Sequence, residues 1–437
     1  MTNQMTARSY VQQSVTRAVP QATMGSPRQP KSVSELGIRQ TVLDDLALKI
    51  LYLSGPFSVL DLSNHMRIGL AVADELMRRL RTMQLCEVTG THDNVPDLAI
   101  TSQGRSRALE LLSLSQYADA TPVSLRSYVD QVRRQSVRNV EVHPPDVESA
   151  FSHLVLDSRT VWQIGTAINS GGSIFLHGST GVGKTTIAET LSRVVAEDAV
   201  WIPCSLEVNG QIISIYDPLV HQAVDDGPRF EETDQRWVLC HRPAVMVGGE
   251  LTMDMLNLQL DPSTKFYDAP VQMKANNGVL IIDDFGRQRV RPEELLNRWI
   301  VPLDRGIDYL KLAGGKKFEI PFEMFVVFAT NMDPAKLVDA AFLRRIQTKI
   351  KVGTISDEQF CEIFRRVCKE RALEYEASML TDVIDVIRGK LHQALRPCFP
   401  RDIVNQICWA ARYERKEPVI DHASVMRAVE NYFLSKS

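Results

Sequence analysis

Between Ser173 and Leu191 the chain passes from an apolar strand, Ser173-Ile174-Phe175-Leu176-His177, into Gly178-Ser179-Thr180-Gly181-Val182-Gly183-Lys184-Thr185, and then into a helical run that starts Thr186-Ile187-Ala188. Strand, glycine-rich turn, Lys-Thr and helix in that order constrain the fold more than any other feature, because such a loop belongs at the end of a buried strand. Gly178, Gly181 and Gly183 admit backbone conformations that turn successive N–H groups toward one anion. The helix start adds its partial positive charge at the same place. Gly178, Ser179, Thr180, Gly181, Val182, Gly183, Lys184, Thr185 and Thr186 are therefore the candidate phosphate-binding residues. Lys184 would bridge the β- and γ-phosphates, and the Thr185 hydroxyl would take one magnesium position. An accidental glycine-rich turn is the competing reading, and the agreement of all four parts counts against it.

About a hundred residues on, Gly278-Val279-Leu280-Ile281-Ile282-Asp283-Asp284-Phe285 is an apolar strand ending in two carboxylates. Adjacent carboxylates at a buried strand end need a cation or a chemical task. Asp283 is expected to hold magnesium through water, and Asp284 to polarise the attacking water as general base. A strand capped by a turn-forming Asp pair is the bland alternative, and the upstream loop disfavours it.

From Ser173 to about Thr354 strands alternate with helical patterns, which predicts a parallel sheet with helices on both faces. Beyond Asp357 the pattern is helical, with breaks expected at Arg396-Pro397 and Phe399-Pro400. The sequence thus reads as residues 1–33, a disordered tail; 34–117, a small α+β domain; 118–145, a linker; 146–354, the α/β core; and 355–437, a helical domain. The tail carries Arg8, Arg17, Arg28 and Lys31 with no acidic residue, as transit peptides do, but Pro20, Gly25, Pro27 and Pro30 interrupt any amphipathic helix. In 34–117, three helices at Val42–Ser54, Leu60–Met66 and Leu70–Met83 precede two strands (Leu85–Thr89, Asp97–Thr101) and a last helix from about Ser102 to Leu114. That order, with Ala99-Ile100-Thr101-Ser102-Gln103-Gly104-Arg105 at its end, resembles a winged helix-turn-helix domain. From Val33 to Tyr117 eight Lys or Arg stand against ten Asp or Glu, where a DNA reader carries a basic face. Arg78, Arg79 and Arg81 are the candidate phosphate contacts, and a protein-docking wing is the favoured reading.

The core and helical tail resemble an AAA+ ATPase. The resemblance implies ATP and Mg2+ as ligands, and a strand ending in a polar γ-phosphate sensor; Phe325-Val326-Val327-Phe328-Ala329-Thr330-Asn331 makes Asn331 that residue. It implies an arginine finger given to the neighbouring subunit's nucleotide, for which Asp339-Ala340-Ala341-Phe342-Leu343-Arg344-Arg345-Ile346 offers Arg344 or Arg345. In the helical lid, Phe399-Pro400-Arg401-Asp402 resembles the second sensor, with Arg401 facing the phosphates and Arg396 a less favoured substitute. A finger given in trans implies a homo-oligomer, and the resemblance implies a ring, of six subunits. Most members carry Glu where this chain has Asp284. A carboxylate drawn back by ~1.5 Å can slow the reaction about 10²-fold, so slow hydrolysis, a shifted water, or a base from Glu250 all stay open.

Asp308 to Ile320, with Ala313-Gly314-Gly315-Lys316 as its turn, reads as a β-hairpin before the sensor strand and resembles the presensor hairpin of MoxR-type proteins. The stretch Trp201 to Asn277 exceeds a minimal core and contains a second expected hairpin around Asn209-Gly210. In it Lys265-Phe266-Tyr267-Asp268 has the character of a pore loop or, equally, of an aromatic pair packed in a core. With Ile164-Gly165 and Phe285-Gly286-Arg287-Gln288 added, the chain resembles bacterial AAA-family ATPases described as chaperone-like and linked to Flp pilus assembly. A protein substrate or assembly partner is implied by that resemblance.

Composition narrows the rest. Fifty Lys and Arg against 53 Asp and Glu leave a formal charge of −3, so no global field draws in nucleic acid or an anionic membrane. No apolar run approaches a membrane span, and no membrane insertion is expected. Seven scattered cysteines without a CxxC fit reduced thiols in the cytoplasm. Two rivals stay open: a DNA-associated ATPase that reads duplex DNA with its wing, and a slow ATP-dependent switch.

Overall fold

The computed structural model describes residues 25–55, 57–92, 95–195, 198–224, 232–337 and 340–433. Most of the N-terminal tail, Pro56, the turn residues Asp93 and Asn94, and Asp339 lie outside the described residues. Two compact units divide the chain: Met1–Gln135, Ala196–Arg242 and Leu260–Asp268 form one, and Ser136–Val195, Pro243–Gln259 and Ala269–Ser437 form the other. The long stretch 201–277 is thus shared between them.

In the first unit, helices Gln40–Ser54, Val59–Met66 and Leu70–Thr82 precede strands Cys86–His92 and Val95–Ile100 and helix Ser102–Leu114. The short strand Phe57–Ser58 joins that hairpin as a third, antiparallel member. Leucines and other apolar side chains at helical spacing, among them Leu43, Leu46, Ile50, Leu62, Leu76 and Leu80, form one core. Local chemistry fixes the helix starts. Ser58 and Asp61 cap each other reciprocally, and the Thr101 hydroxyl accepts the Gly104 N–H at 3.0 Å. Gly104 has to be glycine, since a Cβ there would overlap the Leu85 carbonyl oxygen. Of the three arginines on Leu70–Thr82, Arg78 pairs with Asp74 and Arg79 with Asp44.

A second sheet in this unit runs Tyr267–Asp268, Gln211–Ser214, Ser205–Val208, Val123–Ser124. Its hairpin turns on Asn209 and Gly210, both at positive φ, the conformation that two-residue hairpin loops of this composition adopt. Lys265-Phe266-Tyr267-Asp268 is built into this unit, which decides between its two readings. Lys265 Nζ donates to the Ser113 carbonyl at 2.6 Å, Phe266 meets Tyr117 edge-on at 5.4 Å, and Tyr267 is buried opposite Ile213. The aromatic pair is core, and the pore-loop reading is set aside.

The second unit is organised by a five-stranded sheet in the order Ala244–Val247, Val279–Ile282, Phe325–Thr330, Ser173–His177, Thr348–Lys351, parallel throughout. Alternate side chains face opposite layers. Ile174 and Leu176 pack with Ile187, Leu191 and Ile164 of helices Lys184–Val195 and Ser158–Asn169. Phe175 faces the other way, onto Phe285 and Phe328, and Trp299 of helix Pro292–Arg305 meets Phe328. Helices on both faces leave the carboxyl ends of the strands as the open rim. The chain leaves Ser173–His177 for the far edge and later returns to both of its sides, so the strand order reverses there, where open α/β sheets bind ligands.

After the sheet, helices Asp357–Glu370, Met379–Asp385, Cys398–Glu414 and His422–Tyr432 enclose a separate core around Phe360, Phe364, Ile403 and Val425. The break expected at Phe399-Pro400 is absent: Pro400 is the third residue of Cys398–Glu414, within the first turn, where no N–H partner is lost. No described helix is long and apolar enough to cross a membrane.

Candidate nucleotide site

Register alone brings the predicted residues to one rim. Thr330 stands opposite His177 and Ile282 opposite Phe328, so Gly178, Asp283 and Asn331 all come just after the carboxyl ends of three adjacent strands. The loop then turns on glycines at positive φ: Gly178 at 155°, Gly181 at 80° and Gly183 at 92°. A Cβ on Gly178 would overlap the Val352 carbonyl oxygen. Val182 is buried in the core and pins the loop, while Ser179, Thr180 and Thr186 are exposed.

Helix Lys184–Val195 begins at the lysine. Lys184 is buried, and its Nζ donates to the Gly178 and Ser179 carbonyls at 3.0 and 2.9 Å. Burial holds its amine below the ordinary lysine range, opposed by the nearby Asp283 and Asp284 carboxylates. Thr185 Oγ1 donates to Asp283 Oδ2 at 2.7 Å, joining the loop helix to a strand end 98 residues away. The Asp283 backbone carbonyl accepts from Gln288 Nε2 at 2.8 Å, and Gln288 Oε1 accepts from the Gly286 N–H. Asp284 is exposed and sits at φ 48°, a conformation aspartate tolerates better than most residues. Its N–H donates to Asp283 Oδ1 at 2.9 Å. Thr330 Oγ1 donates to the Phe285 carbonyl at 2.6 Å, tying the Asp283-Asp284 turn to the strand that delivers Asn331. Gln288 and Thr330 position the acidic turn; the sequence motifs contained both residues but gave neither of them a role.

Among the described residues no group of three or more His, Cys, Asp or Glu side chains is arranged to hold a metal. One hydroxyl and one carboxylate already in contact suit magnesium, which keeps several waters and takes its remaining oxygens from phosphates. Glu250 folds back on its own turn, accepting from the Gly248 N–H at 2.9 Å, and this bond lowers its carboxyl pKa.

The arginines separate clearly. Arg345 Nε donates to Asp304 Oδ2 at 2.8 Å and its side chain is 21% exposed, whereas Arg344 is exposed. Arg401, 64% exposed, lies 3.4 Å from Asp402. Arg396, the less favoured substitute, is nearer the loop: its Cδ is 3.5 Å, and Cys398 Sγ 2.7 Å, from the point a Cβ on Gly181 would occupy. The Arg396 guanidinium lies over the Phe399 ring, and its buried Nε has no hydrogen-bond partner. An unpartnered guanidinium N–H beside the middle glycine of the loop leaves a donor suited to a phosphate.

A family described as "Domain of unknown function (DUF8689)" matches residues 356–431. No curated protein matches the chain. Among solved structures, the RuvB Holliday junction branch migration motor of Thermotoga maritima is 14% identical, with 63% of this chain and 70% of that chain covered and a TM-score of 0.37. Domain III of the Thermotoga maritima replication initiation protein DnaA is 13% identical over 67% of this chain and 99% of its own, with a TM-score of 0.36. NtrX from Brucella abortus is 12% identical, with 65% and 57% covered and a TM-score of 0.40. At such values each is a distant likeness only.

Chemically, the rim offers backbone N–H groups and one ammonium for phosphates, a hydroxyl–carboxylate pair for a divalent cation, and an exposed carboxylate one residue further on.

Proposed function

We propose that the chain is an AAA+ ATPase that works as a homo-oligomeric ring, of six subunits, in the cytoplasm and remodels or assembles a protein partner. The 2.7 Å bond between Thr185 and Asp283 carries this reading, because it joins the two halves of a nucleotide–magnesium site that lie far apart in the sequence. Residues 178–186 hold the phosphates of ATP, and Thr185 and Asp283 hold Mg2+. When bound, the metal screens phosphate charge and orients the β- and γ-oxygens. Asp284 takes the proton from the attacking water, Asn331 hydrogen-bonds the γ-phosphate, and Arg344 completes the site of a neighbouring copy. Arg345, already engaged by Asp304, shapes the segment that presents Arg344. The helical region 355–437 acts as a lid, with Arg396 as its phosphate contact and Arg401 as the alternative.

Residues 34–117 serve as a winged-helix docking module. Pairing of Arg78 and Arg79 with aspartates removes two of the three phosphate contacts that a DNA-reading helix would need, and this supports protein over nucleic acid as the partner.

Asp284→Asn tests the reading. ATP binding should persist while turnover falls by about 10²–10⁴-fold, the usual contribution of a general base, measured by phosphate release from the full chain. Equal turnover in both proteins would remove Asp284 from the reaction; tight binding with almost no turnover in the wild type would select the slow switch.

A further inference from the structure

The hairpin of the second unit, Ile307–Lys311 with Lys317–Pro321, pairs antiparallel from Ile307↔Pro321 to Lys311↔Lys317. Its two faces differ sharply. Asp308, Leu310, Phe318 and Ile320 are buried, and Asp308 is clamped by both terminal nitrogens of Arg298. Tyr309, Lys311, Lys317 and Glu319 form the exposed face, and Lys316 is exposed in the turn with Gly314 and Gly315. No salt bridge among the described residues engages Lys311, Lys316 or Lys317.

Lys311 and Lys317 stand directly opposite, which sets their Cβ atoms about 4.5–5.5 Å apart, and like charges so placed destabilise a sheet. Neither packing nor burial requires them. A ligand with carboxylates at that spacing would turn the repulsion into attraction, while half-exposed Tyr309 supplies an aromatic anchor beside them. We infer that this face docks an acidic segment of a polypeptide. Glu319, directly opposite Tyr309 on the same face, confines the basic face to three lysines, enough for a short run of carboxylates and few for a nucleic-acid backbone. The chain's net charge of −3 supplies no wider basic field for a polyanion.

The inference gives the protein partner a chemistry and rests on the proposed function only for the remodelling step after docking. It is read without nucleotide, by fluorescence anisotropy of full-length protein with a labelled oligoglutamate peptide and, separately, labelled oligothymidylate. Lys311→Ala/Lys317→Ala should bind oligoglutamate about tenfold more weakly than wild type, in keeping with two exposed charge pairs lost, and Arg126→Ala, an exposed charge of the other unit, should bind it as wild type does. The double variant should melt no lower than wild type, since it loses a repulsion. Failure of wild type to bind oligoglutamate, or equal binding by wild type and double variant, overturns the inference; loss of oligothymidylate binding alone moves the surface to nucleic acid and also overturns it. Basal ATP turnover should be the same in wild type and double variant, and peptide binding by a wild type without turnover would sink the ATPase reading while leaving the docking surface intact.

Discussion

Lys184→Ala should lose ATP affinity by about 2–5 kcal/mol, the cost of removing one partner of a desolvated charge pair, which is roughly 30-fold to several thousand-fold. The fold should survive. Lys184 is a buried ammonium whose two bonds go to loop carbonyls, and burial already disfavours its charge, so its removal relieves a desolvation cost as it removes those bonds. The two effects separate in one pair of measurements: equilibrium titration with ATP, and the urea midpoint of the ligand-free protein. A large drop in midpoint would make Lys184 a structural residue, and unchanged affinity would remove it from the site.

The second large effect concerns turnover. Arg344→Ala should keep ATP affinity and lower kcat by at least about 10³-fold, the scale of an arginine finger. Arg345→Ala breaks a partly exposed ion pair with Asp304, which should cost about 0.2–1 kcal/mol of stability and change turnover far less. On the proposed reading, in which the finger acts between copies, mixing Arg344→Ala with Lys184→Ala subunits should restore part of the activity that neither has alone. Turnover near wild type in Arg344→Ala would dismiss the finger, and a larger loss in Arg345→Ala would reverse the assignment.

How much the sequence disclosed depended on how local the controlling interaction is. The glycine loop was legible because its strand, turn and helix start are contiguous, and the positive φ values at Gly181 and Gly183 come from glycine's missing Cβ. The hairpin at Asn209-Gly210 was legible for the same reason. Asp283 could be named, but its bond to Thr185 spans 98 residues and needed the strand register. Arg344 and Arg345 were indistinguishable by motif; the residue that separates them is Asp304, which lies 41 residues away. Lys265–Asp268 was ambiguous because an aromatic pair flanked by charges reads alike in an exposed loop and in a strand, until Tyr117 and Ser113 are seen to hold it. Pro400 reads as a helix break because proline's penalty vanishes only within the first turn, and no capping residue marks the true start at Cys398. Arg396 and Arg401 could not be told apart by motif, since nothing in the sequence announces that the Arg396 Cδ lies 3.5 Å from where a Cβ on Gly181 would stand.

Calorimetric titration of the full-length wild-type chain with ATP, in magnesium and again in EDTA, bears most directly on the central claim that loop 178–186 and Asp283 form one triphosphate–metal site. Saturable binding of one ATP per chain, weakened by EDTA and equally weak with or without metal in Asp283→Asn, is the predicted result. A folded wild type that takes up no ATP, or binding indifferent both to magnesium and to Asp283, would contradict it.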